Sequence, residues 1–166
     1  SRGARSNRRM TSAWTEPPDA QRRTQAAVDW KTLAECAEGL IALSGAEQGA
    51  IGQALLAGDG DGARRIAQLL ASIFAGRFYI ELQRAGGATN EAQVRAAVPL
   101  AAALGLPVVA THPVQFLAPD DFEAHEARVC IADGETLANP RRVKRFSPQQ
   151  YFKTQAQMEA LFADLP

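Results

Sequence analysis

Histidine, cysteine and net charge are the scarce quantities in this chain of 166 residues, and each shortage closes a class of function. His112 and His125 are the only imidazoles. A two-metal hydrolase centre needs more histidines and aspartates than the candidate loops offer. Cys36 and Cys130, the only thiols, fall in separate predicted helices and form no CxxC pair. No structural disulfide is expected, and a reducing cytoplasm is the expected compartment. Eighteen Lys and Arg balance eighteen Asp and Glu. With no global charge there is no field to draw in nucleic acid or a membrane surface.

Long apolar runs and nucleotide fingerprints are absent as well. The uncharged stretch 96–116 contains Pro99, Pro107 and Pro113 together with His112 and Gln115, so it does not read as a membrane span. The Arg-rich start is followed by no apolar segment, and no signal peptide is expected. Neither GxxxxGK[ST] nor GxGxxG occurs. Ser44-Gly45 follows a predicted strand, but position 42 is Ala, so the G-x-S-x-G nucleophile turn is missing.

What remains is a chain with 46% apolar residues, long enough for one domain with a real core and too short for a barrel enzyme of usual size. Residues 1 to about 25 lack periodicity and read as a loop or flexible segment. A helix is expected over 30–38, a short strand over 40–43, and helices over about 48–57 and 61–75. The 61–75 helix carries Ile66, Leu69, Leu70, Ile73 and Phe74 on one stripe, with Asp61 as its cap. Over 78–82, Phe78, Ile80 and Leu82 alternate with Tyr79 and Glu81, the period of a strand.

Asn90 and Gln93 form a capping-box pattern for a helix ending at Gly105, with a kink or local break expected at Pro99. The apolar run 107–110 then reads as a strand covered on both faces. A helix over 119–132 follows. The tail from 134 to 166 is expected to be mostly helical, with a loop over 134–144, a short helix opened by Ser147-Pro148, and a last helix over 154–162. Strands alternating with helices give an α/β class with mostly parallel strands.

Ligands in such folds lie beyond the carboxyl ends of the strands, here the loops 44–47, 83–87 and 111–115. A hydrolytic zinc site needs three protein ligands and a water, and His112, Glu81 and Asp120 have the right chemistry, though no spacing requires it. The turn Gly45 to Gly49 has the form of an anion-holding loop or of a plain tight turn, and the plain turn is preferred. His125 lies one turn from Phe122 and Val129 and reads as a packing residue. Arg2, Arg5, Arg8 and Arg9 form one basic cluster and Arg141, Arg142, Lys144 and Arg145 another, read as solvated faces before phosphate contacts.

Five separated blocks then carry a resemblance: GLIALSG (39–45), RFYIELQRAG (77–86), LGLPVVATHPVQFL (104–117), DFEAHEARVCIADG (121–134) and YFKTQAQMEALFADLP (151–166). In this order and spacing they resemble the polymerase-and-histidinol-phosphatase (PHP) domain of the bacterial replicative DNA polymerase III alpha subunit, in its proteobacterial form. The resemblance implies a partial irregular β/α barrel over 26–166, cut from a much longer chain. It implies that the rest of the alpha chain is a partner, that the proofreading exonuclease subunit is a second, and that DNA is met through the parent polymerase. In metal-binding members of the family, Ser-Gly is followed by a Cys ligand and the later strand exits as Asp-x-His. The matching residues here are Ala46, Pro113 and Gln115. Neither Ala nor Pro has a ligating side chain and Gln is a weak donor.

The expectation is therefore a noncatalytic structural or interaction fragment with no catalytic, cofactor or metal residues of its own, in which an unpaired sheet edge favours self-association. Two rivals stand beside it. One is a metal-dependent PHP-type phosphoesterase or 3′–5′ exonuclease using Glu81, His112 and the Asp120/Asp121 pair. The other is a nucleic-acid-binding module working through the basic clusters.

Overall fold

The computed structural model describes residues 10–15 and 25–165, with side chains from residue 28 onward. Strand β1 (Met10–Thr15) pairs antiparallel with β2 (Gln25–Val28). The loop expected over 1–25 therefore contains a strand, and its remaining residues lie outside those described, as does the first basic cluster. Helix α1 (Trp30–Glu35) starts where the Asp29 carboxylate accepts the Thr32 N–H at 2.8 Å, and ends three residues earlier than its apolar spacing predicts.

Three parallel strands form the sheet that organises the rest. They are β3 (Ala42–Leu43), β4 (Phe78–Gln83) and β5 (Val108–Thr111), with β4 in the centre. The crossover from β3 to β4 is made by α2 (Ala50–Leu56) and α3 (Gly60–Ile73), and that from β4 to β5 by α4 (Ala88–Leu104). The α/β class and the open, mostly parallel sheet with its helices match the partial-barrel expectation.

Alternation along β4 sorts the sheet into two faces. Ala42, Phe78, Ile80 and Leu82 share one face by register, and Leu43, Tyr79, Glu81, Gln83, Val109 and Thr111 share the other. Phe78, Ile80 and Leu82 are buried under a helical layer whose inward residues include Ile51, Ala63, Ile66, Ala67, Leu70, Val94, Ala97 and Ala101. Of the predicted α3 stripe, Ile66 and Leu70 are buried and Phe74 closes the helix, while Leu69 is 40% exposed.

Several local expectations need correction. Asp59, not Asp61, caps α3, because its carboxylate is two residues nearer the chain entry and accepts the Gly62 N–H at 2.8 Å. Helix α4 begins at Ala88, with Gly87 as its cap. Asn90 sits inside its first turn, where its side-chain oxygen accepts from Ala85 and Gly87 N–H at 3.1 and 3.3 Å. The helix continues through Pro99 without a break.

The apolar strand β5 is not covered on both faces. It pairs only with β4 in the described sheet, and Val108 and Ala110 are exposed. The more enclosed strand is β4, in which Phe78, Ile80, Glu81 and Leu82 are buried and Tyr79 and Gln83 half-buried. Ser147-Pro148 opens no helix. The tail past Gly134 is loop and extended chain, with a single described helix, α6 (Gln155–Leu161). Arg84, at the end of β4, ties this tail down: it donates to the Leu161 carbonyl and the Asp164 carboxylate, pairs with Glu91, and lies over the Phe162 ring.

Because Ile80 is fully buried at the centre of the core, Ile80→Ala is expected to lower unfolding stability by about 2–5 kcal/mol in urea titration. Leu69→Ala, on the exposed edge of the α3 stripe, should cost much less.

Candidate functional site

The carboxyl ends of the three parallel strands meet at one corner. From β3 the chain turns through Ser44, Gly45 and Ala46, with Gly45 at φ +78° and Ala46 at φ +43°. A left-handed alanine is uncommon and carries strain. Glycine is dictated just beyond it, since a Cβ at Gly49 would stand 1.8 Å from the Ser44 carbonyl oxygen and one at Gly52 would stand 1.9 Å from that of Ala46. The turn is closed by the Gly49 N–H donating to the Gly45 carbonyl at 2.8 Å. It is a tight turn packed by its own backbone.

Glu81 occupies the centre of the corner and is only 8% exposed. One carboxylate oxygen accepts the Gly45 N–H at 3.0 Å. The other accepts the Thr111 hydroxyl at 2.5 Å and the Gln83 amide at 3.0 Å, and that amide also donates to Thr111 Oγ1 at 3.0 Å. The Glu81 N–H donates to Ser44 Oγ at 2.8 Å, so a serine hydroxyl extends the β3–β4 ladder after the strand has ended. Its carbonyl accepts the buried Gln93 amide of α4 at 3.2 Å. A buried carboxylate is tolerated when protein donors fill its oxygens. Here all three donors are uncharged.

The residues of the hydrolase reading are not brought together. His112 donates through Nε2 to the Gln149 carbonyl at 2.7 Å, so Nδ1 is the unprotonated nitrogen, buried without a partner. Burial lowers the His112 pKa below its ordinary value, and Lys153 adds to this, while hydrogen bonding to the Gln149 and Arg84 backbone opposes it. Asp121 accepts the Ala118 N–H at 2.9 Å and serves as a local cap, and Asp120 is exposed beside it.

The three positions matched to family ligands do not fit a metal. Ala46 is buried and has no donor atom. Pro113 offers only its carbonyl, which accepts the Gln150 amide at 3.1 Å, and the Gln115 N–H donates to the Gln150 carbonyl. Among the described residues, no group of three or more His, Cys, Asp or Glu could hold a metal ion.

Two of the four residues of the second basic cluster are paired within the fold. Arg142 lies 2.5 Å from the Glu126 carboxylate, and both side chains are nearly buried. The contact is an ion pair whose angles are not those of a hydrogen bond. Arg145 pairs with Asp133 on α5 (Phe122–Asp133). Arg141 and Lys144 remain exposed. His125 packs as expected, with its ring centroid 4.8 Å from Phe146 and 5.4 Å from Phe116. Sequence reasoning did not find the roles of Ser44, Gln83, Thr111 and Glu126. Gln83 reads from the sequence as the first residue of the 83–87 loop, whereas the strand runs one residue longer and sets it on the Glu81 face.

Removing the hydroxyl in Thr111→Val takes one donor from the buried Glu81 carboxylate and leaves Gln83 to serve it alone on that oxygen. A loss of about 1–3 kcal/mol is expected in denaturant titration. Glu81→Gln should be destabilising as well, because its amide NH2 would face one of these donors. If Thr111→Val were neutral, the network would not be holding the strand ends.

Residues 6–85 match the PHP domain. Over 157 residues the chain is 44% identical to the DNA polymerase III subunit alpha of Pseudomonas aeruginosa, covering 95% of this chain and 13% of that protein. It is 46% identical over 142 residues to the subunit of Vibrio cholerae, covering 86% and 12%. With the subunit of Neisseria meningitidis serogroup B the identity is 52% over 129 residues, covering 77% and 11%. The chain thus spans only a small part of the length of these relatives. It belongs to the PHP domain family, in the form found in bacterial DNA polymerase III alpha subunits.

Proposed function

We propose that the chain is a noncatalytic structural segment of a replicative DNA polymerase alpha chain, with its former metal corner held by protein hydrogen bonds. The observation that carries this reading is the Glu81 carboxylate, whose oxygens are filled by Gly45, Gln83 and Thr111 while Ala46 and Pro113 offer no ligating side chain. The PHP part is assigned to 26–166, with 134–166 as its tail. DNA-directed synthesis, a nucleotidyl transfer, belongs on this reading to the palm of the parent chain. The cytoplasm is its compartment. Among the described residues no helix is long and apolar enough to cross a membrane.

Its partners on this reading are the rest of the alpha chain and the proofreading exonuclease subunit. Leu40, Ile41 and Leu43 at the β3 edge are exposed, Ile41 by 68%, as is Val108 on β5. Apolar side chains beside a strand edge favour addition of further chain. The nucleic-acid reading loses support because Arg142 and Arg145 are paired with Glu126 and Asp133.

Two measurements test the proposal. Protein purified without chelator should hold less than about a tenth of an equivalent of Zn²⁺ or Mn²⁺, against the full equivalent of an occupied site. No phosphoesterase turnover should depend on His112. A stoichiometric metal together with activity lost in His112→Ala would establish the hydrolase reading instead. In sedimentation velocity, the chain in isolation should associate as concentration rises, and Ile41→Lys with Leu43→Lys should return it to monomer. A monomer at every concentration would remove the self-association proposal.

A further inference from the structure

Residues 147–152 run across the carboxyl ends of β4 and β5 without belonging to the sheet. Ser147 Oγ donates to the Ala85 carbonyl at 2.5 Å. The Gln150 amide donates to the Pro113 carbonyl, the Gln115 N–H to the Gln150 carbonyl at 2.8 Å, and the Phe152 N–H to the Phe116 carbonyl at 3.0 Å. These last two bonds form a parallel bridge between Phe116 and Tyr151. His112 adds a tie from an ionisable side chain at the strand ends, donating through Nε2 to the Gln149 carbonyl at 2.7 Å.

We propose that residues 147–152 form a releasable strap over the strand ends, with the neutral His112 ring as its catch. The geometry supports this in two ways. The strap is one extended segment held edge-on by a few hydrogen bonds, whereas the chain beyond it is anchored separately through Arg84 to Leu161 and Asp164. It can therefore open without freeing α6. The catch is also placed to be sensitive: the ring is half-buried and its Nδ1 is shielded from solvent with no hydrogen-bond partner while neutral, so a proton added there is poorly hydrated.

The charged groups facing the ring come from both sides. Lys153, from the tail, donates to Gln149 Oε1 at 3.3 Å and lies over the Tyr151 ring. Arg84, from the end of β4, presents its backbone, and its guanidinium is turned to Glu91 and Asp164. A positive charge on His112 is thus opposed by Lys153 and helped only by backbone carbonyls. Burial, the leading cause, keeps the ring below the ordinary value of 6.5 while the strap is closed. Opening returns the ring to water. The grip is then complete above about 6.5 and lost as pH falls through the depressed value.

Amide hydrogen exchange resolved by residue on the full chain tests the strap. At pH 7.5, His112→Ala should speed exchange at Gln115 and Phe152 by about tenfold or more, while Ile80 in β4 and the amides of α6 stay protected. In the unaltered protein, after correction for intrinsic exchange, the same two amides should open as pH falls below the ordinary histidine range. The dependence should approach about tenfold per pH unit, the limit for one proton bound on opening. His112→Asn, whose amide can donate to Gln149 without titrating, should keep the strap closed and abolish that dependence. Unchanged protection in His112→Ala, or a flat pH response in the unaltered protein, overturns the proposal. So does opening that occurs only together with exchange at Ile80.

Discussion

The carboxylate of Glu81 must be satisfied inside the protein, because it is itself buried on the central strand of the sheet. Water cannot reach it freely, and an unpaired charge there would cost more than a domain of this size can spare. The donors that meet the demand come from all three strand ends: the Gly45 N–H after β3, Gln83 on β4 and Thr111 on β5. A single side chain thereby joins elements far apart in sequence. The turn at Ser44–Gly49 follows from the same constraint, since Ser44 continues the ladder to Glu81 and Gly45 must aim its N–H at the carboxylate.

This arrangement gives physical content to the loss of ligands at Ala46, Pro113 and Gln115. A metal ion would hold strand ends together by coordinating them, and it demands donors of definite kind and number. Hydrogen bonds from uncharged donors to the carboxylate achieve a comparable joining with weaker, directional contacts that need no exchangeable ion. The left-handed Ala46 is the part of this corner where strain survives, although no ligating atom remains to use it. The strand ends at this corner are joined by protein hydrogen bonds alone among the described residues.

Legibility of the fold followed the range of the interactions involved. Phe78, Ile80 and Leu82 declared their shared face through local alternation, and Ile66 and Leu70 did so at helical spacing. Caps were harder because neighbours compete. Asp59 and Asp61 are both able acceptors, and only the path of the chain into α3 selects the first. Burial of strands was harder still. Val108 and Ala110 belong to an apolar run, yet they lie on the edge of the described sheet, whereas Glu81 in a mixed run is enclosed.

The candidate site divides in the same way. By itself the sequence determined that Ala46 and Pro113 have no side-chain ligand to offer, that histidines are too few for a two-metal centre, and that five ordered blocks resemble the PHP family. Those are properties of residue type and order, which no packing can alter. Only the tertiary structure decided that Glu81 is served by Gly45, Gln83 and Thr111, that His112 faces Gln149, and that Arg142 is spent on Glu126. Each of these contacts joins residues from 2 to 37 positions apart, mostly on different elements. Their partners are set by strand register and by the path of the tail, which local periodicity does not encode.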